Sequence, residues 1–406
     1  MTTPAQAAPA LRAERLLHPV VEAFRRLVRE QGWEDRLERA IALARRFGIR
    51  EVDPITDGEA FLLWLQELLH WVPTENERSR GLLDRLCTFY FVLDQPPLRE
   101  LQNPLVPAHA AAPLTPLSAW IVAFAAAIGT FLDQPGSLTP ESLATFRAAP
   151  AYCLDDYLEP HGGWMSFNQF FARHVRPGLR PIAALSDPAV IVSPVDCTFL
   201  GQWEIHADSR IDVKGLEWSI RELLEGSPHA DRFAGGLFMH AFLNTTDYHR
   251  LHAPVAGRVL ESRVIPGQAM LKVVAEPVTA AEDPLGVTPA SHRLRGRRYD
   301  PRDETGFQFT QARGLVVLAT PIGLVAVLPV GMAQVSSVIL TAREGVTLRK
   351  GEEIGYFQFG SSDVVVVFEA ASNVCLTAQV GVHYRMGRRL GQADPVLSPS
   401  MISAPA

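Results

Sequence analysis

Three groups of residues in this chain have types and spacing that could do chemistry. His249 and His252 stand three apart in "NTTDYHRLHAPVAG". Imidazole titrates near neutrality, so such a pair suits proton transfer or metal binding. A helix would bring the two onto one face, but Pro254 and Gly257 break any helix there and no third ligand follows, so no metal site is read. Asp196 lies in "IVSPVDCTFLG", inside an apolar, strand-like run. A carboxylate buried there must be paired or hydrogen-bonded. It is either a satisfied turn aspartate after Pro194 or an acid that orients a histidine. Gly360-Ser361-Ser362 interrupts "GYFQFGSSDVVVVFEA", and by residue type alone it reads as a turn. An aspartate, a histidine and a serine in this order can build an activated hydroxyl nucleophile. The GxSxG elbow of many hydrolases is missing, since "FGSSD" lacks its second glycine and precedes no helix.

Other features fix the setting for these residues. The 406 residues favour two or three domains. A net charge of −6 argues against a general nucleic-acid binder. Cys87, Cys153, Cys197 and Cys375 are scattered without a CxxC pair, as expected of reduced cysteines in a cytoplasmic protein. No signal-peptide core is read in "MTTPAQAAPALRAERLLHPV", and "PLSAWIVAFAAAIGTFL" reads as a buried core helix, too short for an ordinary membrane span. Residues 12–150 carry apolar positions at helical spacing, with Asp57 opening one helix and Thr139-Pro140 another. From about residue 185 the pattern changes to short β-branched runs divided by Gly and Pro. The fold class expected is α+β: a helical N-terminal extension over 1–150, then a mainly antiparallel, sandwich- or barrel-like domain over 151–406. Residues 280–306 read as a long loop, a linker or a lid.

"SFNQFFARHVRPGLRPI", "PVDC", "DYHRLHAPVAG", "PVGMAQVSSV" and "GVTLRKGEEIGYFQFGSSDVVVVF" occur in one order over roughly residues 164–380. Together they resemble the successive signatures of the phosphatidylserine decarboxylases. The resemblance implies that the chain cuts itself between Gly360 and Ser361 and that Ser361 becomes an N-terminal pyruvoyl group, the cofactor. It implies that Asp196 orients His252 and that His252 takes the proton from Ser361 during maturation. The pyruvoyl carbonyl would form a Schiff base with the substrate amine and act as electron sink when CO2 leaves. His249 would serve decarboxylation and reprotonation, although the two histidine roles are interchangeable on sequence alone. Ser362 is a neighbour without a catalytic role.

The family implies phosphatidylserine as substrate and phosphatidylethanolamine as product. The helical extension is instead similar in layout to a soluble subgroup that includes a fungal tryptophan decarboxylase acting on a free aromatic amino acid. Either an aminophospholipid or a small amino acid is thus the expected partner. Peripheral contact with a membrane and pairing into a homodimer are both left open. Two readings of other classes stand beside these: a serine hydrolase built on Ser361, His252 and Asp196, and a non-catalytic β-sandwich carrying a cofactor on Lys350, which lacks the usual Met-Lys context.

Overall fold

A computed structural model describes residues 17–213, 215–277, 297–301, 306–332 and 338–395. Most of the expected 280–306 loop, the first sixteen residues and part of "PVGMAQVSSV" lie outside these. Within the expected loop, Arg297–Pro301 forms a strand antiparallel to Val273–Pro277.

The N-terminal part is helical, and local signals set its boundaries. The first described helix starts at Pro19, whose fixed φ suits a first turn, with His18 as cap. Asp57 caps Gly58–Leu68 by accepting from the Ala60 N–H at 2.8 Å. Thr139 and Ser142 form a reciprocal capping box ahead of Pro140–Arg147. The apolar helix Pro116–Leu132 is a core element: Leu117, Ile121, Phe124 and Ile128 are buried, and the Trp120 indole N–H donates to the Val20 carbonyl at 2.8 Å. No helix of the described residues is long and apolar enough to cross a membrane.

The C-terminal part is built on an eight-stranded sheet. Its order is Thr347–Leu348, Gly257–Ile265, Arg313–Thr320, Gly323–Met332, Ser361–Phe368, Leu237–Leu243, Cys197–Glu204 and His383–Tyr384. The neighbouring strands pair antiparallel and the two end strands do not meet, so the sheet is an open layer rather than a closed barrel. Ser361–Phe368 is central. Val364 and Val366 enter the core on one face, and Val365 and Val367 the core on the other. Burial on both faces explains an unbroken valine run where a half-exposed strand would alternate. The turn reading of Gly360-Ser361-Ser362 is therefore corrected: the chain bends at Phe359-Gly360, and both serines already belong to the strand. Two flanking ladders hold them, Met332 opposite Ser361 and Leu243 opposite Ser362.

Candidate active site

The histidine segment and the Gly-Ser step lie side by side because of strand register. Leu243 pairs with Ser362. Six residues later the His249 carbonyl accepts from the Phe357 N–H at 2.9 Å. The loop from Asn244 to His249 therefore spans the same gap as residues 358–361. Asp247 shapes this loop: one carboxylate oxygen accepts from the Asn244 N–H at 2.7 Å, and the other contacts the His383 ring at 2.9 Å.

His249 is fully buried. Its Nδ1–H donates to the Asp247 carbonyl at 2.9 Å, and its ring lies 4.0 Å from that of Phe171. That hydrogen bond fixes the tautomer and leaves Nε2 unprotonated, buried and without a partner. Burial, reinforced by the positive charge of Arg173, pushes its pKa down to about 3. The same histidine protonates near pH 6.5 in the unfolded chain. The unfolded state thus binds the extra proton between about pH 6.5 and 3, so acidification across that window costs stability, up to ~1.4 kcal/mol per pH unit from this residue. Urea unfolding between pH 7 and 4 should show a steeper loss for the parent than for His249→Gln; equal slopes would contradict a neutral buried His249.

His252 donates from Nδ1 to the Gly351 carbonyl at 2.8 Å, so its Nε2 is the acceptor nitrogen and receives the Tyr248 hydroxyl at 3.0 Å. Burial lowers its pKa. The expected hydrogen bond from Asp196 is absent. Asp196 is buried, and both its oxygens face Arg180, at 2.9 and 3.0 Å from Nε and 2.7 Å from Nη2; Oδ1 also accepts from the Met386 N–H at 2.7 Å. The direct-orientation reading is therefore corrected. Tyr248 and the Gly351 carbonyl orient His252, and Asp196 reaches it only through its charge, which favours the protonated form. Sequence reading found Asp196 and both histidines but not these partners, most of which, Arg180, Gly351 and Met386, come from other segments.

Two further features went unread. His240 and Asp363, from adjacent strands, are buried in contact with each other. A charge inside "SSDVVVV" is the same cue that singled out Asp196. Ser362 is fully buried and its hydroxyl has no partner. A cavity of about 270 Å³ beside the site is lined by Trp164, Asn168, Arg173, Arg250, Tyr356 and Gln358 among others. The exposed Leu158 also lines it.

Comparison with known proteins adds to this geometry. The family described as phosphatidylserine decarboxylase matches residues 167–392, more than half of the chain. A phosphatidylserine decarboxylase proenzyme of Halorhodospira halophila is 34% identical over 218 residues, 50% of this chain and 65% of that protein. A proenzyme of the same name from Anaeromyxobacter is 32% identical over 251 residues, covering 57% and 79%. A protein named decarboxylase iboD, from Amanita muscaria, is 31% identical over 247 residues, covering 58% and 69%. The chain thus spans just under two thirds of the first of these relatives.

Proposed function

Because the chain belongs to the phosphatidylserine decarboxylase family, we propose that it is a proenzyme that cuts itself between Gly360 and Ser361 and then decarboxylates an amine-bearing substrate. The observation that carries this reading is the histidine loop, whose two ends are registered against Ser362 and Phe357, either side of the Gly360–Ser361 bond.

In the first step the Ser361 hydroxyl oxygen bonds to the Gly360 carbonyl carbon, the peptide C–N bond breaks, and the leaving nitrogen takes up the proton that the hydroxyl gives to the base, leaving an ester and a free amine. Holding the hydroxyl and the carbonyl in adjacent residues at a bend favours this attack by proximity. His252 is the base: Gly351 fixes the tautomer that leaves Nε2 free to accept, and the serine competes there with Tyr248. Loss of the residue-361 α-proton then breaks the Cβ–O bond, and Gly360 departs as a carboxylate. Water replaces ammonia at the α-carbon, which leaves a keto group. That pyruvoyl group supplies an electrophilic carbonyl for the substrate amine and a sink for the electron pair released with CO2. The surroundings fit it, since Ser362 Oγ and His249 Nε2 are buried polar atoms without partners. His249, whose Nε2 is free to accept, takes up a proton that the substrate ammonium releases and delivers it to the substrate carbon once CO2 has left.

The relatives' names favour phosphatidylserine as the substrate; its decarboxylation gives phosphatidylethanolamine, and a lipid substrate would bring the chain into peripheral contact with a membrane. The relative from Amanita is named a decarboxylase without a lipid, which favours a second reading with a substrate other than a lipid; the layout of the helical extension suggests a free aromatic amino acid such as tryptophan. CO2 release from phosphatidylserine vesicles, tryptophan, tyrosine and serine separates the two. Turnover of the lipid alone supports the first reading, turnover of a free amino acid the second, and no turnover of any would count against decarboxylation.

A further inference from the structure

The two sides of the Gly360–Ser361 bond belong to different hydrophobic cores. Ser362 to Phe368 are locked into the central sheet by ladders on both sides. Phe359 is fully buried in the core of the helical part, among residues such as Phe61, Phe89 and Phe124. Its ring meets Phe167 at 5.2 Å and Phe171 at 5.4 Å, both near edge-on, and Trp71 at 6.5 Å. Edge-to-face aromatic contacts fix ring orientation as well as position.

A polar relay holds the backbone at the same point. The Phe359 N–H donates to Asn168 Oδ1 at 3.0 Å. The Asn168 amide donates to Asp133 Oδ1 at 2.9 Å, and the Gln358 side chain donates to that oxygen at 3.0 Å. Asp133 caps the C-terminal end of Pro116–Leu132, the most apolar helix of the core. Asn168 is itself buried, so its bond to the Phe359 N–H is shielded from water and costly to leave unmade, whereas the outer end of the relay at Asp133 reaches the surface.

We propose that the helical part is a maturation clamp: it grips Phe359 while the sheet grips Ser362, and Asn168 is the positioning residue that sets the Gly360 carbonyl against the residue-361 hydroxyl. This rests on the self-cleavage reading above. It gives the helical part a role in cleavage, distinct from substrate binding. Because both grips act before any bond changes, the clamp governs ester formation and not the later elimination.

The test follows full-length chains made by cell-free synthesis and chased over time. Asn168→Ala should split more slowly than the parent by about ten- to a hundredfold, the scale on which a misplacement near 1 Å acts. Added hydroxylamine, which cuts an accumulated ester, should not speed it, because no ester builds up. Asp133→Asn keeps an acceptor oxygen and should split at the parent rate, whereas Asp133→Leu, which breaks the relay at its outer end, should be slow; this second pair also serves if Asn168→Ala does not fold. Thermal midpoints, all taken in the Ser361→Ala background so that one uncut species is compared, should change little for the Asp133 pair. Parent-like splitting of Asn168→Ala or Asp133→Leu, or hydroxylamine-sensitive accumulation in either, would overturn the clamp while leaving self-cleavage intact. A parent chain that never splits would overturn the self-cleavage reading itself.

Discussion

Ser361→Ala should purify as one uncut chain of 44.6 kDa with no CO2 release on any substrate, while Ser362→Ala should split as the parent does. The two serines are adjacent and both belong to the strand Ser361–Phe368, so a merely structural role would not separate them. Chemistry does. Only residue 361 follows the scissile bond and can carry the acyl group of Gly360, and without its hydroxyl no ester forms. Ser362 Oγ is buried with no hydrogen-bond partner, and removing such a group relieves a desolvation cost of about 1–3 kcal/mol. Ser362→Ala should therefore be as stable as the parent or more so. Gel analysis of the two variants after purification checks both halves. Splitting in Ser361→Ala would remove that residue as the nucleophile.

The second large effect is expected at Asp196. The Arg180–Asp196 pair is bidentate and almost fully buried, and the same carboxylate receives the Met386 N–H. Taking one partner from a buried ion pair costs about 3–5 kcal/mol, because the other charge is left in a poor solvent. Asp156, at 3.3 Å from Arg180, offsets part of this, so Asp196→Asn should lose about 3 kcal/mol in urea unfolding. Arg180→Met combined with Asp196→Leu should recover much of the loss. If Asp196 served only to orient His252, Asp196→Asn would mature slowly with its stability unchanged, and that result would contradict the ion-pair account.

What the sequence made legible follows from what spacing can carry. Periodicity marked the helices and the strands, because burial of one stripe or both faces writes itself directly into residue order. Asp196 stood out because a charge amid β-branched residues demands a partner. Its actual partner, Arg180, lies sixteen residues upstream and is brought in by folding alone. His252 shows the same limit. Its neighbour Tyr248 is four residues away, but the Gly351 carbonyl that fixes its tautomer is ninety-nine away. Residue type alone favours a turn at Gly360-Ser361-Ser362, whereas two flanking strands impose an extended path on the serines and leave the bend at Phe359-Gly360. Phe359 carried no local sign that it belongs to the helical core and not to the sheet it precedes.

Intact-mass measurement of the purified parent protein tests the central claim most directly. Two species are predicted: residues 1–360 ending in a free carboxylate, and the 46 residues from 361 to 406 with a keto group in place of the terminal amine. Together they should differ from the uncut chain by the gain of one water and the loss of one ammonia. A single species at the full mass, in a preparation that releases CO2, would contradict the account.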